Sequence, residues 1–512
     1  MKRRNLFLSL ICSVILTVAP ATFTIVSVVK PGKKGQNDNQ STNVSTSVSD
    51  KRPNLNEDRD GSAELPYLIY DVDTFNHYIG NYGHADVSNG EEVCYYELAD
   101  DIDFAGINYS TLFNKGKAFN GNIDGKGFAL KNISINVNRD NFVEFAYKSA
   151  EDGNRYNAHI AIFGAIENAE IKDVKISGIS VNVAEDVYTF VSSAEFAKTY
   201  GDAVNEITVS TLAAIAKDST VSVEVEGQIS ADAYGIYAEN HVQGYNAVGG
   251  VVAVANGTMI SNTKVAVEFN SGAPVEGESK NYFVGGVAGY AYHSTIIDTV
   301  VDFDVNATYE QAIYVAGVAG YAFDAIVENV DVKLDVTEVG SRKKVQNGDT
   351  INIENYTWVA GAVAIIKADA LNKTSLTNVT INANVDIDVV YAGVVVEVWS
   401  TGTEKAVKFV DIIVASNVNV LEAFGFARDV ANCEFDLTKT EVDIENEGVY
   451  NVKLTGKVRL VGTAATEVVA SAFIFEPCGY AYSNVKVIVS GQIYSQLQRV
   501  EQMRLYGSFL TI

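Results

Sequence analysis

Proline is scarce in this sequence of 512 residues, which contains 6 of them. Beyond Pro66 only Pro274 and Pro477 occur. Because proline has no N–H to donate to a strand ladder, its scarcity over residues 67–512 permits long runs of paired strands. Tyrosine and phenylalanine are abundant, at 27 and 23 residues, and aromatic enrichment favours strand over helix.

Cysteine is too rare to provide a covalent framework. Of the 4 cysteines, Cys12 lies in an apolar leader, which leaves Cys94, Cys433 and Cys478, an odd number. So few cysteines in so long a chain exclude a disulfide scaffold. Two interpretations stay open: a single bridge between Cys433 and Cys478, or buried free thiols that pack as small apolar side chains.

Sequence signatures of several enzyme classes are also absent. The 5 histidines are scattered and form no HExxH pair, so no zinc-protease site is expected. No G-x-S-x-G elbow occurs, and the glycine-rich stretches lack the Lys-Ser/Thr pair of a phosphate-binding loop. The sequence therefore indicates no catalytic residue and no cofactor. It favours a protein without catalysis and leaves enzymatic activity open.

Basic residues are outnumbered, and the net charge is −26. Residues 1–64 hold 9 Lys and Arg against 6 Asp and Glu, a net charge of +3, which leaves −29 for residues 65–512. Such acidity argues against nucleic acid or an anionic membrane surface as a partner, because like charges repel. It favours cations, basic proteins or neutral glycans, although the same charge also serves to keep a large β surface soluble.

The N-terminus has the pattern of an export signal. Three basic residues, Lys2 to Arg4, precede an uncharged stretch from Leu6 to Val29. This stretch is long enough to span a bilayer, and Ala19-Pro20-Ala21 offers a small-residue cleavage site. Residues 1–30 are therefore predicted to be either a cleaved signal peptide or a retained membrane anchor. Both alternatives predict an extracellular protein, secreted or attached to the cell surface, with membrane contact only through this segment.

A glycine-rich phrase recurs from residue 248 onward. Val284-Gly285-Gly286-Val287-Ala288 is the clearest copy, and Val315-Ala316-Gly317-Val318-Ala319 follows 31 residues later. Such copies, 31 to 44 residues apart and each followed by alternating apolar and polar residues, are typical of a stacked β solenoid. One strand per coil is predicted to begin near residues 160, 211, 249, 285, 316, 360, 392, 423 and 470.

Alternation with a period of two predicts which side chains face the interior. It is clearest between Asn378 and Val389, where apolar residues are predicted to point inward and the polar residues between them outward. The inward set is Val379, Ile381, Ala383, Val385, Ile387 and Val389. Small residues at equivalent positions would let stacked backbones approach closely. The glycines predicted to serve the repeats in this way are Gly121, Gly125, Gly164, Gly250, Gly286, Gly289, Gly317, Gly320, Gly361 and Gly393.

These patterns predict an all-β fold, a right-handed parallel β-helix with an N-terminal capping unit that contains a short helix over residues 71–79. Gly80 is expected to end this helix, and the longest loop insertion is expected between Glu185 and Asn205. Residues 31–64 have almost no apolar side chains, so they are predicted to be a disordered tether. The other predicted boundaries are 65–157 for the cap and first coils, 158–495 for the β-helix repeats and 496–512 for a C-terminal cap.

Several motifs at the start of the folded part match those of a known family. They are Pro66-Tyr67-Leu68-Ile69, Tyr96-Glu97-Leu98, Asp101-Ile102-Asp103, Phe119, Gly121, Ile123-Asp124-Gly125 and the stretch Ile162 to Ala169. The chain resembles exported bacterial surface proteins in which a parallel β-helix carries GLUG repeats, well over 65–340 and in diluted form over 341–495. The resemblance implies the fold and export. It implies no single activity, since such repeats accompany adhesins, wall-bound scaffolds and some surface proteases.

Outward carboxylates are the first candidate for a binding site. Asp302 and Asp304 lie on one predicted coil, and Asp331 and Asp335 lie on the next. Stacked coils would bring such groups within about 5 Å, near enough to share a cation such as Ca²⁺. The alternatives are a catalytic carboxylate pair or an ordinary solvated face.

Tyrosines that follow the glycine-rich phrase are the second candidate. Tyr290, Tyr292 and Tyr321, with Tyr314, would form either an exposed aromatic ladder that binds sugars or a protein, or internal stacking at the corners of the solenoid.

The function predicted from the sequence is that of an exported, surface-displayed β-helix protein with a binding or structural, adhesin-like role. Its partner would be an extracellular glycan or protein. The alternative is a secreted polysaccharide lyase or glycoside hydrolase that uses the outward carboxylates.

Overall fold

The computed structural model describes most of the chain from Leu55 to Ser495. The predicted leader, most of the predicted tether and the predicted C-terminal cap lie outside the described residues. The described residues are 55–114, 116–149, 155–200, 204–231, 234–235, 237–238, 241–242, 247–271, 282–307, 313–338, 344–347, 350–353, 358–368, 374–386, 390–400, 407–419, 422–424, 426–429, 433–436, 441–446, 456–459, 486–489 and 492–495.

The chain winds into a parallel β-helix, which confirms the predicted fold class. Each full coil passes through three sheets in turn. In one such coil, Ile313–Ala316 lies in the first sheet, Ala319–Phe323 in the second and Ile326–Glu338 in the third. Each of these strands pairs in parallel with a strand of the preceding coil and with one of the following coil.

The three sheets have 10, 8 and 19 strands. The first contains Ala146–Ser149, Arg155–Ile160, Val204–Ser210, Tyr234–Gly235, Ala247–Gly249, Tyr282–Gly285, Ile313–Ala316, Trp358–Ala360, Val390–Ala392 and Glu422–Phe424. The second contains Phe163–Glu167, Ala213–Lys217, Val252–Asn256, Ala288–Tyr292, Ala319–Phe323, Val363–Ala368, Val395–Ser400 and Ala427–Asp429. The third contains Tyr67–Ile69, Tyr95–Leu98, Ile102–Asp103, Asn122–Asp124, Ala129–Lys131, Ser134–Val137, Glu170–Val183, Thr220–Ser230, Met259–Ser261, Lys264–Asn270, Thr295–Ala307, Ile326–Glu338, Thr374–Asp386, Val407–Asn419, Cys433–Asp436, Glu441–Asn446, Gly456–Arg459, Lys486–Val489 and Gln492–Ser495.

A few strands depart from the parallel pattern. Two hairpins, Tyr237–Ala238 with His241–Val242 and Lys344–Asn347 with Thr350–Ile353, form two-stranded antiparallel sheets of their own. Antiparallel pairs within the large sheets are Ala146–Ser149 with Arg155–Ile160, Val204–Ser210 with Tyr234–Gly235, Glu441–Asn446 with Gly456–Arg459, and Lys486–Val489 with Gln492–Ser495.

The glycine-rich phrase marks a corner of the coil, not the start of a strand as predicted. Eight of the predicted starts fall within one residue of the end of a first-sheet strand, such as Gly285 or Ala316. The second-sheet strand then begins three residues after that end, at Ala288 and Ala319 in these two coils. The ninth predicted start, near residue 470, lies outside the described residues.

Small residues are needed at this corner because the backbones of successive coils approach closely there. A Cβ atom on Gly286 would overlap the carbonyl oxygen of Gly317, and one on Gly317 would overlap that of Gly361. In the same way, a Cβ atom on Gly250 would overlap the carbonyl oxygen of Gly286, and one on Gly361 would overlap that of Gly393. The other predicted glycines also meet backbone or Cβ atoms; these are Gly121, Gly125, Gly164, Gly289 and Gly320.

The interior is filled by apolar side chains in register. Ile260, Ile296 and Val327 occupy matched positions of successive third-sheet strands, and each is at most 1% exposed. Burial of each such side chain contributes about 1.5–3 kcal/mol. The inward side chains predicted for Thr374–Asp386 are confirmed as buried, and Ile387 and Val389 lie outside the described residues. The buried ones are Val379, Ile381, Ala383 and Val385.

The corner between the second and third sheets depends on left-handed backbone conformations. Asp218, His293 and Asp324 have φ of 47°, 45° and 48° at this corner in three coils. Asp is among the few residues that tolerate this region. The next residue often carries a buried hydroxyl, and Ser294 Oγ accepts a hydrogen bond from the Thr258 amide across coils at 3.1 Å. Hydroxyls therefore satisfy backbone donors where the ladder bends.

The N-terminal cap contains the predicted short helix, which extends beyond its predicted end. Asp71 caps it by accepting from the Thr74 amide at 2.8 Å. The segments are Val72–Thr74, a π-helical turn Phe75–Ile79 and Gly80–Tyr82. Gly80 has ordinary helical backbone angles, φ −62° and ψ −35°, so it continues the helix and does not end it. Short 3₁₀ and α segments also form at Val87–Asn89 and Phe142–Phe145.

The predicted tether ends earlier than residue 64. Asn56 is 5% exposed, and its side chain binds both backbone groups of Leu68: Nδ2 donates to the Leu68 carbonyl at 2.9 Å and Oδ1 accepts from the Leu68 amide at 2.7 Å. Arg59 donates to the Pro66 carbonyl at 2.8 Å. The folded body therefore includes residues from Leu55 onward. Among the described residues, no helix is long and apolar enough to cross a bilayer.

Replacing Asn56 tests how the first strand is protected. Within the described part of the chain, Tyr67–Ile69 pairs with Tyr95–Leu98 on one side only, and the Asn56 amide covers its other edge. Exposed strand edges recruit other chains. We expect Asn56→Ala to cost about 1–2 kcal/mol of stability at this edge and to speed hydrogen exchange of the Leu68 amide. Asp58→Ala, an exposed neighbour, should leave that exchange rate unchanged; equal rates in both variants would contradict the prediction.

The longest insertion is helical, although a loop was predicted between Glu185 and Asn205. Two helices, Glu185–Val191 and Ala194–Tyr200, pack around Phe196, which is fully buried. Its ring lies 5.2 Å from Phe190 and 4.8 Å from Tyr200, centroid to centroid. The segment is therefore helical and not a loop, because packing of Phe190, Phe196 and Tyr200 against one another stabilises the two helices.

Cys94 is a free, half-buried thiol, and burial raises the pKa of this thiol above its usual value. The alternative of a Cys433–Cys478 bridge stays a prediction, because Cys478 lies outside the described residues.

Candidate functional site

The outer face of the third sheet carries rows of polar side chains that continue from coil to coil. We call the outer surface of strands Lys264–Asn270, Thr295–Ala307, Ile326–Glu338, Thr374–Asp386 and Val407–Asn419 the polar face. The rows arise because parallel strands in register repeat each outward position in every coil. One row runs through Glu268, Asp304, Asp335, Asn384 and Asn417, and the row beside it through Ala266, Asp302, Lys333, Asn382 and Ala415.

Three of the four carboxylates proposed from the sequence come together on the polar face. One carboxylate oxygen from each of Asp302, Asp304 and Asp335 lies within 4.8 Å of the others. Asp331 is not part of this group. Its register partner in the preceding coil is Val300, so it lies further back along the strand.

Lys333 supplies the positive charge inside this carboxylate group. Its Nζ lies 2.8 Å from Asp302 Oδ1 and 2.9 Å from Asp335 Oδ2. The hydrogen bonds to Asp302 and then to Asp335 raise the pKa of the Lys333 ammonium. Carboxylate oxygens are the ligands that Ca²⁺ prefers, but here an ammonium already holds two of the three. The donor set therefore fits calcium poorly.

Partial desolvation raises the pKa of Asp304, and the nearby charges of Asp302, Asp335 and Glu268 raise it further, while Lys333 opposes them. A carboxyl group with a raised pKa in the folded state favours folding below its ordinary pKa of 3.8, and this contribution is lost as the pH rises through the folded-state value. The ionised form of Asp304 thus weakens the folded state at neutral pH.

We expect Asp304→Asn to raise the urea midpoint of unfolding at pH 7 and to leave it unchanged at pH 3, where the native carboxyl is protonated. The size of the gain is small, because the group is exposed to solvent and salt screens it. Asp331→Asn, outside the carboxylate group, is the control. A midpoint that rises equally at both pH values would show that the charge of Asp304 is not the cause.

The tyrosines do not form an exposed ladder; of the two alternatives, stacking at a corner of the solenoid is the one that the structure supports. Tyr290 and Tyr321 are each 7% exposed, and Tyr292 is half-buried. They pack on the outer side of the corner between the first and second sheets, with ring centroids of Tyr290 and Tyr321 5.2 Å apart. Phe283 lies 4.9 Å from Tyr290.

Stacking between coils explains why these rings present little surface to a sugar. Phe283, Tyr314 and Trp358 are register partners, and their rings stack at 5.1 and 6.3 Å with interplanar angles of 18° and 8°. Rings that stack on one another along the column cover each other's faces, and a sugar binds to a ring face. Tyr314 is thus part of this stack, and Tyr290 and Tyr321 pack edge-on against Phe283 beside it.

A second polar group, which the sequence analysis missed, is buried on the outer side of the first sheet. His159 Nε2 lies 2.9 Å from Glu206 Oε1, and both side chains are 7% exposed. The Tyr147 ring covers His159 edge-on at 5.3 Å. Thr208 and Ser210 on the Glu206 strand are fully buried as well. Alternation with the buried apolar residues Ile207 and Val209 marks these residues as outward, but it does not predict that they are buried.

Comparison with known proteins places the chain in no recognised family. No family model matches it, and no curated protein matches it. Among solved structures, it is similar to an IgA1 protease at 13% sequence identity and a TM-score of 0.38. That match covers 78% of this chain and 25% of the protease chain, so the chain spans about a quarter of the length of that protein.

Proposed function

We propose that this protein is an exported, surface-displayed β-helix protein whose role is to bind or scaffold an extracellular partner. The observation that supports it best is the polar face, where five consecutive third-sheet strands present outward side chains in fixed rows. A stacked column is rigid along its length, and such repeats are used elsewhere as extended binding surfaces. The resemblance to GLUG-repeat surface proteins and the leader at residues 1–30 support export.

The alternative of a polysaccharide lyase or glycoside hydrolase has one observation in its favour, the convergence of Asp302, Asp304 and Asp335. Such an enzyme needs two carboxyl groups that act on the substrate as acid and base or nucleophile. Here two of the three carboxylates are held by the Lys333 ammonium, whose Nζ lies 2.8 Å from Asp302 and 2.9 Å from Asp335. The geometry therefore supports binding better than acid–base catalysis.

Location and binding are tested separately. Intact cells that express the full chain are treated with protease, and we expect the protein to be degraded, whereas a chain that lacks residues 1–30 is expected to stay protected inside. The purified full chain is then applied to arrays of glycans and of extracellular-matrix proteins. Specific binding supports the proposal. Protection of the full chain, or release of reducing sugar from the arrayed polysaccharides, would contradict it.

A further inference from the structure

The amide side chains on the later coils of the polar face differ from those on the earlier coils. Upstream, polar side chains are hydrogen-bonded to each other across coils: Asn306 Nδ2 donates to Glu268 Oε1 at 3.0 Å and to Asn270 Oδ1 at 2.9 Å, and Thr337 donates to Asn306 Oδ1 at 2.7 Å. These groups satisfy each other within the protein.

Downstream, three asparagine amides in the same rows remain open to solvent. Asn384 and Asn417 are register partners, and Asn382 lies two residues before Asn384 on its strand. All three are exposed. Within the described part of the chain, they make no side-chain hydrogen bond to one another or to a neighbour. Six hydrogen-bonding atoms, three carbonyl oxygens and three amino groups, therefore face outward together.

A depression of about 440 Å³ lies among these amides. Ala415 is the register partner of Asn382, and its short side chain leaves the space that a longer residue in this row would occupy. The depression is lined by Lys333, Asp335, Asn382, Ala383, Asn384, Ala415, Ser416 and Asn417.

The chemistry of this lining selects an uncharged, hydroxyl-rich ligand. Amides both donate and accept, as sugar hydroxyl groups do. The two charged groups in the lining, Lys333 and Asp335, lie 2.9 Å apart and offset each other. An acidic sugar would meet the carboxylates of Asp302 and Asp304 beside the depression as well as the net charge of −26.

We propose that the depression between Asn382, Asn384 and Asn417 is a binding subsite for a neutral saccharide. The proposal rests on the proposed binding function and names its ligand class and its residues. The site is shallow and exposed, so single contacts are weak. Several sugar units lying across the coils would be needed for useful affinity.

The test uses the purified full chain and three hexasaccharide probes: cellohexaose and chitohexaose, which are neutral, and a hyaluronan hexasaccharide, which is acidic. Isothermal titration or saturation-transfer NMR measures binding. Ala415→Lys fills the depression with a long side chain. Ala266→Lys places the same change in the same row of the polar face, four coils away from Ala415, and serves as the matched control.

We expect at least one neutral probe to bind the wild-type protein, at least tenfold weaker binding to Ala415→Lys, and unchanged binding to Ala266→Lys. Asn384→Ala, an exposed change that does not disturb the core, should weaken binding about fivefold. Thermal midpoints within a degree or two of wild type confirm that each variant is folded.

Two outcomes overturn the subsite. One is equal binding by wild type and Ala415→Lys; the other is binding of the hyaluronan probe alone or of no probe. If these occur while the arrays still detect another partner, the binding function stands and the subsite is wrong. If the arrays also detect nothing, both fail.

Discussion

Gly286→Leu is expected to destabilise the protein by about 3 kcal/mol or more, because it overpacks the closest approach between coils. A Cβ atom at residue 286 would overlap the carbonyl oxygen of Gly317 and press on Val301 Cγ1, 2.7 Å away. The carbonyl belongs to the backbone of the next coil and cannot rotate aside as a side chain can. The two coils that contain Gly286 and Gly317 would have to separate. This separation would break hydrogen bonds such as that from the Gly286 amide to the Ala316 carbonyl at 3.0 Å.

The effect is measured as the midpoint of urea or thermal unfolding of the purified protein. Ala266→Leu adds a leucine on the exposed outer face and is the matched control. Gly286→Ala should have a smaller effect of the same sign, since the first added carbon already overlaps. An unchanged midpoint for Gly286→Leu would show that the corner is looser than the stacking of Gly250, Gly286 and Gly317 implies.

Tyr391→Ala is expected to cost about 3–5 kcal/mol, the usual range for deleting a large buried ring. Tyr391 is fully buried, although its register partner in the preceding coil, Val359, is a much smaller residue. The Tyr391 hydroxyl lies 2.7 Å from Ser416 Oγ.

Tyr391→Phe separates the hydrogen bond from the ring. It keeps the packing and leaves Ser416 without this partner, so we expect a loss of about 1 kcal/mol. Hydrogen exchange of the Val359 and Ile381 amides reports local opening of these coils, which a repeat array permits without global unfolding. Equal losses for the Ala and Phe variants would mean that the hydroxyl, and not the ring, dominates.

Much of the architecture could be predicted because its causes are local. Alternation in Thr374–Asp386 assigns inward and outward residues, since strand side chains alternate whatever the neighbouring strand does. The recurrence of glycine near 285 and 316 indicates stacking, since only small residues fit where backbones meet. The end of the short helix was less predictable, because Gly80 is tolerated inside a helix that the buried residues Phe75 and Ile79 hold in place.

The candidate site was harder to predict, because its geometry depends on contacts between distant residues. Asp302, Asp304 and Asp335 were identified by their outward positions, but the role of Lys333 between them depends on the register of two coils. The tyrosines were identified by their place after the glycine-rich phrase, but their burial depends on contacts with rings of other coils. Asn384 and Asn417 carry no signal in the sequence that separates them from other outward polar residues.

The sequence by itself determined the parallel coil and its inward and outward faces, because a period of two and recurring small residues act within each strand and each corner. The tertiary structure alone decided which outward side chains meet. Lys333 is 31 residues from its partner Asp302 in one coil and 49 residues from Asn382 in the next, and both are direct register neighbours. The separation in sequence between register neighbours therefore varies with the length of the loop insertion in each coil. The sequence does not show at which residue the chain re-enters the sheet after an insertion.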